Sequence, residues 1–161
     1  MPIREKQHRL QEITYKGEIA VSFTLCIKDR FPLFKKAEIV NNFENILTFE
    51  VERFFCIIPV YCYMPDHQHL IVSGINSDAD TLNLVRRYKQ ITGYWLSQHQ
   101  INSGWQKGFF DHIIRKDEGL IDTAKYILDN PVRKGLVEHW QDYPFKGAIG
   151  CQMEDILESM I

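Results

Sequence analysis

Two histidines one residue apart, His67 and His69, sit in the stretch Tyr63-Met64-Pro65-Asp66-His67-Gln68-His69-Leu70-Ile71-Val72. If the residues after Pro65-Asp66 form a β-strand, alternate side chains share a face, and both imidazoles point the same way, as two ligands of one metal ion require. Neutral imidazole is a common metal ligand. The same spacing also describes two solvent-facing histidines on a half-buried strand, so the group that stands opposite them decides the matter.

A second stretch offers such a group. From Asp117 the chain predicts a helix to about Asn130, where Pro131 stops it. Leu120, Ile121, Ala124, Ile127 and Leu128 make its apolar stripe. At about 100 degrees per residue, Tyr126 projects roughly 160 degrees from the centre of that stripe. Packing of the helix therefore does not explain Tyr126. Asn130 lies one turn further on nearly the same face. Taken alone, the pair also fits an exposed tyrosine beside an asparagine that caps the helix end.

The elements that must position these residues follow from periodicity. Ile19 to Ile27 reads as a first strand, interrupted at Phe31-Pro32-Leu33-Phe34. Ile39, Val40, Phe43, Ile46, Leu47, Val51 and Phe54 recur at helical spacing between about Lys36 and Phe55. Ile57 to Met64 and His67 to Val72 form an antiparallel hairpin about Pro65-Asp66. Asp78 or Asp80 can cap a second helix whose stripe holds Leu84, Val85, Tyr88, Ile91, Thr92, Trp95 and Leu96. Phe109 to Arg115 is a fourth strand; Val132 to Ile161 reads as loops with a short amphipathic helix from Met153.

The order strand, helix, strand, strand, helix, strand predicts a ferredoxin-like α+β domain, an antiparallel sheet with two helices on one face. If Gln68, Leu70 and Val72 face those helices, His67 and His69 project from the other side, where a helix added after the fourth strand can pack.

Composition bounds the function classes. With 161 residues, 45% hydrophobic and 25% charged, the chain fits one globular domain over 1–161, with a core at about 19–145 between a polar N-terminal lead and a C-terminal tail. No apolar run approaches the roughly 20 residues of a membrane span, and the N-terminus is too polar for a secretory signal, so a cytoplasmic protein is expected. Cys26, Cys56, Cys62 and Cys151 form no C-x-x-C pair and suit reduced, buried thiols. The net charge of −2 hides two basic segments: residues 1–36 hold eight Lys/Arg against four Asp/Glu, and residues 84–116 hold six against one. Such segments can form a polyphosphate surface, although ordinary solvated faces explain them as well.

Four blocks together, VSFTLCIKDRFPLF, YMPDHQHLIV, GWQKGFFDHIIR and YILDNPVRKGLV, resemble the single-tyrosine HUH transposases, in particular the REP-associated tyrosine transposase branch. The likeness spans roughly residues 19 to 145 in the family's order. It departs at Gln68, where the family motif has a hydrophobic residue between the histidines. As Gln68 begins the core-facing row, its amide is expected to reach water at the sheet rim or a backbone partner.

The resemblance implies that Tyr126 is the catalytic nucleophile, on an added catalytic helix, and that His67, His69 and Asn130 bind a divalent metal, Mg2+ or Mn2+. It implies cleavage of single-stranded or hairpin DNA through a 5'-phosphotyrosine, with rejoining to another strand. A tyrosine needs help to ionise near neutrality, and Asp111 and His112 are candidate bases. Arg86, Arg87, Lys89, Lys107, Arg115, Lys116, Arg133 and Lys134 are candidate phosphate contacts, and Trp105 or Phe109 candidate stacking platforms. The alternative is a domesticated nucleic-acid-binding module that keeps the fold and no longer cleaves. The relatives include monomers and homodimers.

Overall fold

A computed structural model describes residues 12–115 and 117–158. The predicted element order is present: β1 (Ala20–Cys26), α1 (Ala37–Arg53), β2 (Cys56–Met64), β3 (His67–Gly74), α2 (Thr81–Gln98), β4 (Phe110–Ile114) and α3 (Asp117–Arg133), followed by β5 (Lys146–Ile149) and α4 (Met153–Glu158). The strands pair antiparallel in the order β4-β1-β3-β2-β5. The first four make the ferredoxin-like sheet that the sequence predicts, and the fold class is α+β.

Strand alternation divides the core in two. Val21, Phe23 and Leu25 of β1 and Leu70 and Val72 of β3 turn to the face covered by α1 and α2, where they meet Phe43, Leu47, Leu84, Val85 and Tyr88. The other face presents Val60, Cys62, Met64 and Ile71 to Ala124, Ile127 and Leu128 of α3, the stripe expected from its periodicity. Burial of these side chains fixes the strand register, because a one-residue slip would exchange the two faces. His67 and His69, in step with Ile71, therefore stand on the α3 side.

Asp80 caps α2 by accepting the Asn83 N–H at 3.0 Å. Three elements differ from expectation. The helix α3 continues through Pro131 to Arg133, because proline's φ is compatible with a helix and the ring removes only one N–H. Lys134 N–H still reaches the Asn130 carbonyl at 3.0 Å. The strand β5 lies in a segment read as loop: four residues with no alternation signal are held by pairing to the β2 edge. There Gly147 lets Tyr61 approach, as a Cβ would meet the Tyr61 hydroxyl at 2.8 Å.

Gln68 corrects a third expectation. It is fully buried between the sheet and α2, and its amide oxygen accepts from the Tyr88 hydroxyl at 2.7 Å, not from water or backbone. Its amide nitrogen is buried without a hydrogen-bond partner among the described residues. Burial raises the Cys56 and Cys62 thiols to about 12, consistent with inert packing thiols.

Candidate active site

The turn that leads into β3 is held by the chain between β1 and α1. Ile27 N–H donates to the Asp66 carbonyl at 2.9 Å, and Phe34 N–H to the Pro65 carbonyl at 3.0 Å. Arg30 adds an ion pair to the Asp66 carboxylate at 3.6 Å. Asp66 is thereby fixed beside His67, and its Oδ1 accepts from His67 Nδ1 at 2.7 Å. An ionised carboxylate only accepts, so the proton is on Nδ1 and the lone pair of His67 is on Nε2.

His69 is oriented from the neighbouring strand. Register pairs it with Thr24, whose hydroxyl lies 3.0 Å from His69 Nδ1. The two Nε2 atoms consequently converge to 3.2 Å. Burial lowers the pKa of both rings. For His69 it falls to about 3, with the neighbouring His67 and Arg133 adding to the effect; for His67 the Asp66 carboxylate opposes the shift. Both imidazoles are therefore neutral at pH 7, the form that binds metal.

From the opposite side α3 brings three residues on successive turns of one face. Tyr126 is 55% exposed, and its ring centroid lies 6.3 Å from that of His69. Asn130, 4% exposed, places its amide nitrogen 3.4 Å from His67 Nε2. It is a buried member of the site, where its position before Pro131 also allowed a helix-capping role. The third is Arg133, whose guanidinium lies 4.1 Å from the centroid of the Tyr126 ring and donates to the Asn130 amide oxygen at 3.3 Å.

The donor set fits a divalent cation. Two imidazole nitrogens bound at about 2.1 Å are about 3.0 Å apart at a right angle and about 3.4 Å apart at a tetrahedral angle. The observed 3.2 Å lies between these values. Among the described residues no cluster of three His, Cys, Asp or Glu could hold a metal ion. A third protein ligand must then be an amide or another neutral oxygen, which Asn130 can supply, and such a set leaves positions open for phosphate and water.

Two clefts flank this centre. One of about 520 Å³ includes Arg30, Lys35, Pro65, His67 and Lys134; the other, about 530 Å³, includes Lys125, Tyr126, Asp129, Arg133 and Trp140. A wider cleft of about 870 Å³ opens between residues 28–32 and the loop after α2, and it shares Arg30 and Pro32 with the first. The histidines and Tyr126 lie outside it.

The remaining candidates are dispersed. Arg133 and Lys134 lie at the centre or in its flanking cleft, and Arg115 is exposed at the end of β4. Arg86 and Arg87 are exposed on α2, which covers the opposite sheet face. Lys89 is tied down, donating to the Gln106 and Gly108 carbonyls at 3.0 and 2.6 Å. Trp105 packs against Phe34, Phe43 and Tyr88, and its indole N–H donates to Thr92 at 2.8 Å. It anchors the loop to the core, and only its remaining surface joins Arg86, Lys89 and Lys107 in a cleft of about 490 Å³. Phe109 is buried against Phe23, with ring centroids 5.6 Å apart, and is no free stacking platform. Lys116 lies outside the described residues.

Of the two candidate bases, Asp111 faces α1 and α2, where Tyr15 donates to it at 2.5 Å, so it cannot serve Tyr126 across the sheet. His112 is exposed on the site's face but pairs with Ser22, two strands from β3. Thr24, Asp66 and Arg30 are site residues that sequence reasoning passed over. Asp66 had a signal, as a carboxylate directly before a candidate ligand in a turn; Thr24 had none without the register.

Comparison with known proteins gives a consistent set of likenesses. The family described as "Transposase IS200 like" matches residues 15–130. A Haemophilus influenzae protein named among the REP-associated tyrosine transposases is 28% identical over 134 residues, covering 76% of each chain. The Escherichia coli REP-associated tyrosine transposase is 28% identical over 88 residues, 55% of this chain and 52% of its own. A solved structure of a REP-associated tyrosine transposase bound to a REP hairpin superposes with a TM-score of 0.72 at 22% identity, over 88% of this chain and 81% of that one.

Proposed function

The chain belongs to the IS200-like transposase family, and from that membership we propose that it cleaves single-stranded DNA at or near a hairpin and rejoins the ends, with Tyr126 as nucleophile. The observation that carries this reading is the convergence of His67 and His69 from β3 with Tyr126 and Asn130 from α3. Two pairs of residues distant in sequence meet at a largely buried point, with the Tyr126 ring exposed, between two clefts that carry basic side chains.

In the proposed reaction the Tyr126 phenolic oxygen attacks phosphorus and loses its proton to solvent. The bond to the 3'-oxygen breaks, the departing oxygen takes a proton, and the 5'-phosphate stays on the tyrosine. A 3'-hydroxyl of another strand reverses the step, so the ester's energy is conserved without ATP. His67, His69 and Asn130 would hold Mg2+ or Mn2+, which when bound polarises the scissile phosphate and neutralises charge on its oxygens. Arg30, Lys35 and Lys134 in one cleft and Lys125 and Arg133 in the other supply positive charge on both sides of the centre, interspersed with Asp66, Asp122 and Asp129, so a single strand passing from one cleft to the other has cations to meet on each side.

The Gln68 side chain lies on the opposite sheet face, bonded to Tyr88. The departure from the family motif thus leaves the metal-facing row untouched, and the non-cleaving binding module gains no support from it.

The test is incubation with hairpin-bearing single-stranded DNA and Mn2+, followed by a denaturing gel. A protein–DNA adduct is expected, and it should be absent in Tyr126→Phe and His67→Ala. Tight binding of the DNA with no adduct under any divalent metal would leave only the binding module.

A further inference from the structure

Arg133 makes four contacts at once. Its guanidinium lies over the Tyr126 ring at 4.1 Å, and its Nη1 donates to the Tyr126 carbonyl at 3.3 Å and to Asp129 Oδ2 at 3.0 Å. Its Nη2 donates to Asn130 Oδ1 at 3.3 Å. Guanidinium has no acceptor, so the Asn130 atom it touches is the oxygen. The same orientation turns the amide NH2 towards His67 Nε2, the lone-pair nitrogen opposite the Asp66-bound Nδ1. The two ends of the amide thus agree: Arg133 holds the oxygen, and His67 takes the N–H.

This orientation opposes ligation. An amide binds a hard cation through oxygen, whereas here the nitrogen faces the histidines. To become a ligand Asn130 must turn over and release Arg133 Nη2.

We infer that Arg133 is a positioning residue that interlocks the metal centre with the substrate phosphate: it holds Asn130 turned away until a divalent cation draws the amide oxygen in, and the freed Nη2 then faces the scissile phosphate beside Tyr126. The inference rests on the metal reading above. Its consequence is that metal and DNA strengthen each other's binding through one side chain, since each relieves part of the cost of breaking the same hydrogen bond. Asp129 keeps Arg133 over the Tyr126 ring while Nη2 changes partner.

The position of Arg133 follows from Pro131 lying within α3. Had the helix ended at Asn130, residue 133 would not stand on the next turn of the face that carries Tyr126 and Asn130.

The experiment is Mn2+ titration of full-length protein by electron paramagnetic resonance, without DNA and then with a hairpin-bearing single strand in a Tyr126→Phe background. Without DNA, Arg133→Ala should bind Mn2+ roughly three- to tenfold more tightly than the wild type, because no hydrogen bond to Asn130 need be broken. Arg133→Lys keeps the charge and loses the fork, and should show most of the same gain. With DNA, the increase in Mn2+ affinity should be smaller in Arg133→Ala than with Arg133 present. Unchanged or weaker Mn2+ binding in Arg133→Ala overturns the interlock. So does wild-type affinity in Arg133→Lys alongside a gain in Arg133→Ala, since charge repulsion alone then accounts for the gain. Loss of Mn2+ binding in His67→Ala supports the metal reading independently; wild-type binding that ignores His67 removes that reading and the interlock with it.

Discussion

Asp66 and His67 are neighbours in sequence whose side chains bond to each other, Oδ1 accepting from Nδ1 at 2.7 Å. The bond decides which imidazole nitrogen is free to bind a metal, and it exists because two backbone hydrogen bonds from the β1–α1 connection hold the Pro65-Asp66 turn in place.

Asp66→Asn should therefore weaken Mn2+ binding by about ten- to a hundredfold. The amide can donate to Nδ1, which moves the proton to Nε2 and blocks the lone pair facing His69. Calorimetric titration of Mn2+ checks this, with thermal unfolding as the control for fold. Wild-type affinity in the variant would show that the turn carboxylate has no part in orienting the ring.

Stability of the metal-free protein should fall on acidification. The His69 pKa is depressed from 6.5 to about 3, so between those values the unfolded chain binds more protons than the folded one. Stability present above pH 6.5 is lost as the pH falls towards 3, by up to about 2 kcal/mol at pH 5 for this one group. Burial shifts His67 in the same direction, with Asp66 opposing and Arg30 and Lys134 adding to it. Urea unfolding in the presence of a chelator at pH 7 and pH 5 measures the effect. His69→Gln should flatten the dependence; an equal slope in the variant assigns it to other groups.

The Gln68–Tyr88 pair makes a different prediction. Tyr88→Phe removes the donor to a fully buried amide oxygen and should cost about 1–3 kcal/mol. Adding Gln68→Leu removes the stranded amide and should recover part of that loss. Denaturant unfolding of the two single variants and the double closes the cycle. Gln68→Leu alone should leave DNA-adduct formation unchanged, because its side chain does not reach the histidine face.

How much of this was legible in the sequence depends on the range of the interaction. The placement of His67 and His69 on one face, and of Tyr126 off the α3 stripe, follows from local periodicity and is present as expected. Asn130 was legible as a position but not as a buried partner of His67, since burial depends on how α3 docks. Thr24 became visible only with the β1–β3 register, and Arg133 only because α3 passes through Pro131. The inner packing of Trp105 was hidden for a related reason: Gly104 and Gly108 mark a loop, yet the indole fills a gap among Phe34, Phe43 and Tyr88, which no local signal reveals. The edge strand β5 is held by its partner, since its own four residues carry no pattern.

The central claim concerns Tyr126. The protein should be incubated with hairpin-bearing single-stranded DNA and Mn2+, then denatured, digested with nuclease and protease, and its peptides mapped by mass spectrometry. The account predicts a nucleotide remnant joined through its 5'-phosphate to Tyr126, and none in Tyr126→Phe. Cleaved DNA with no modified tyrosine, or a remnant on another exposed tyrosine such as Tyr94, would contradict it.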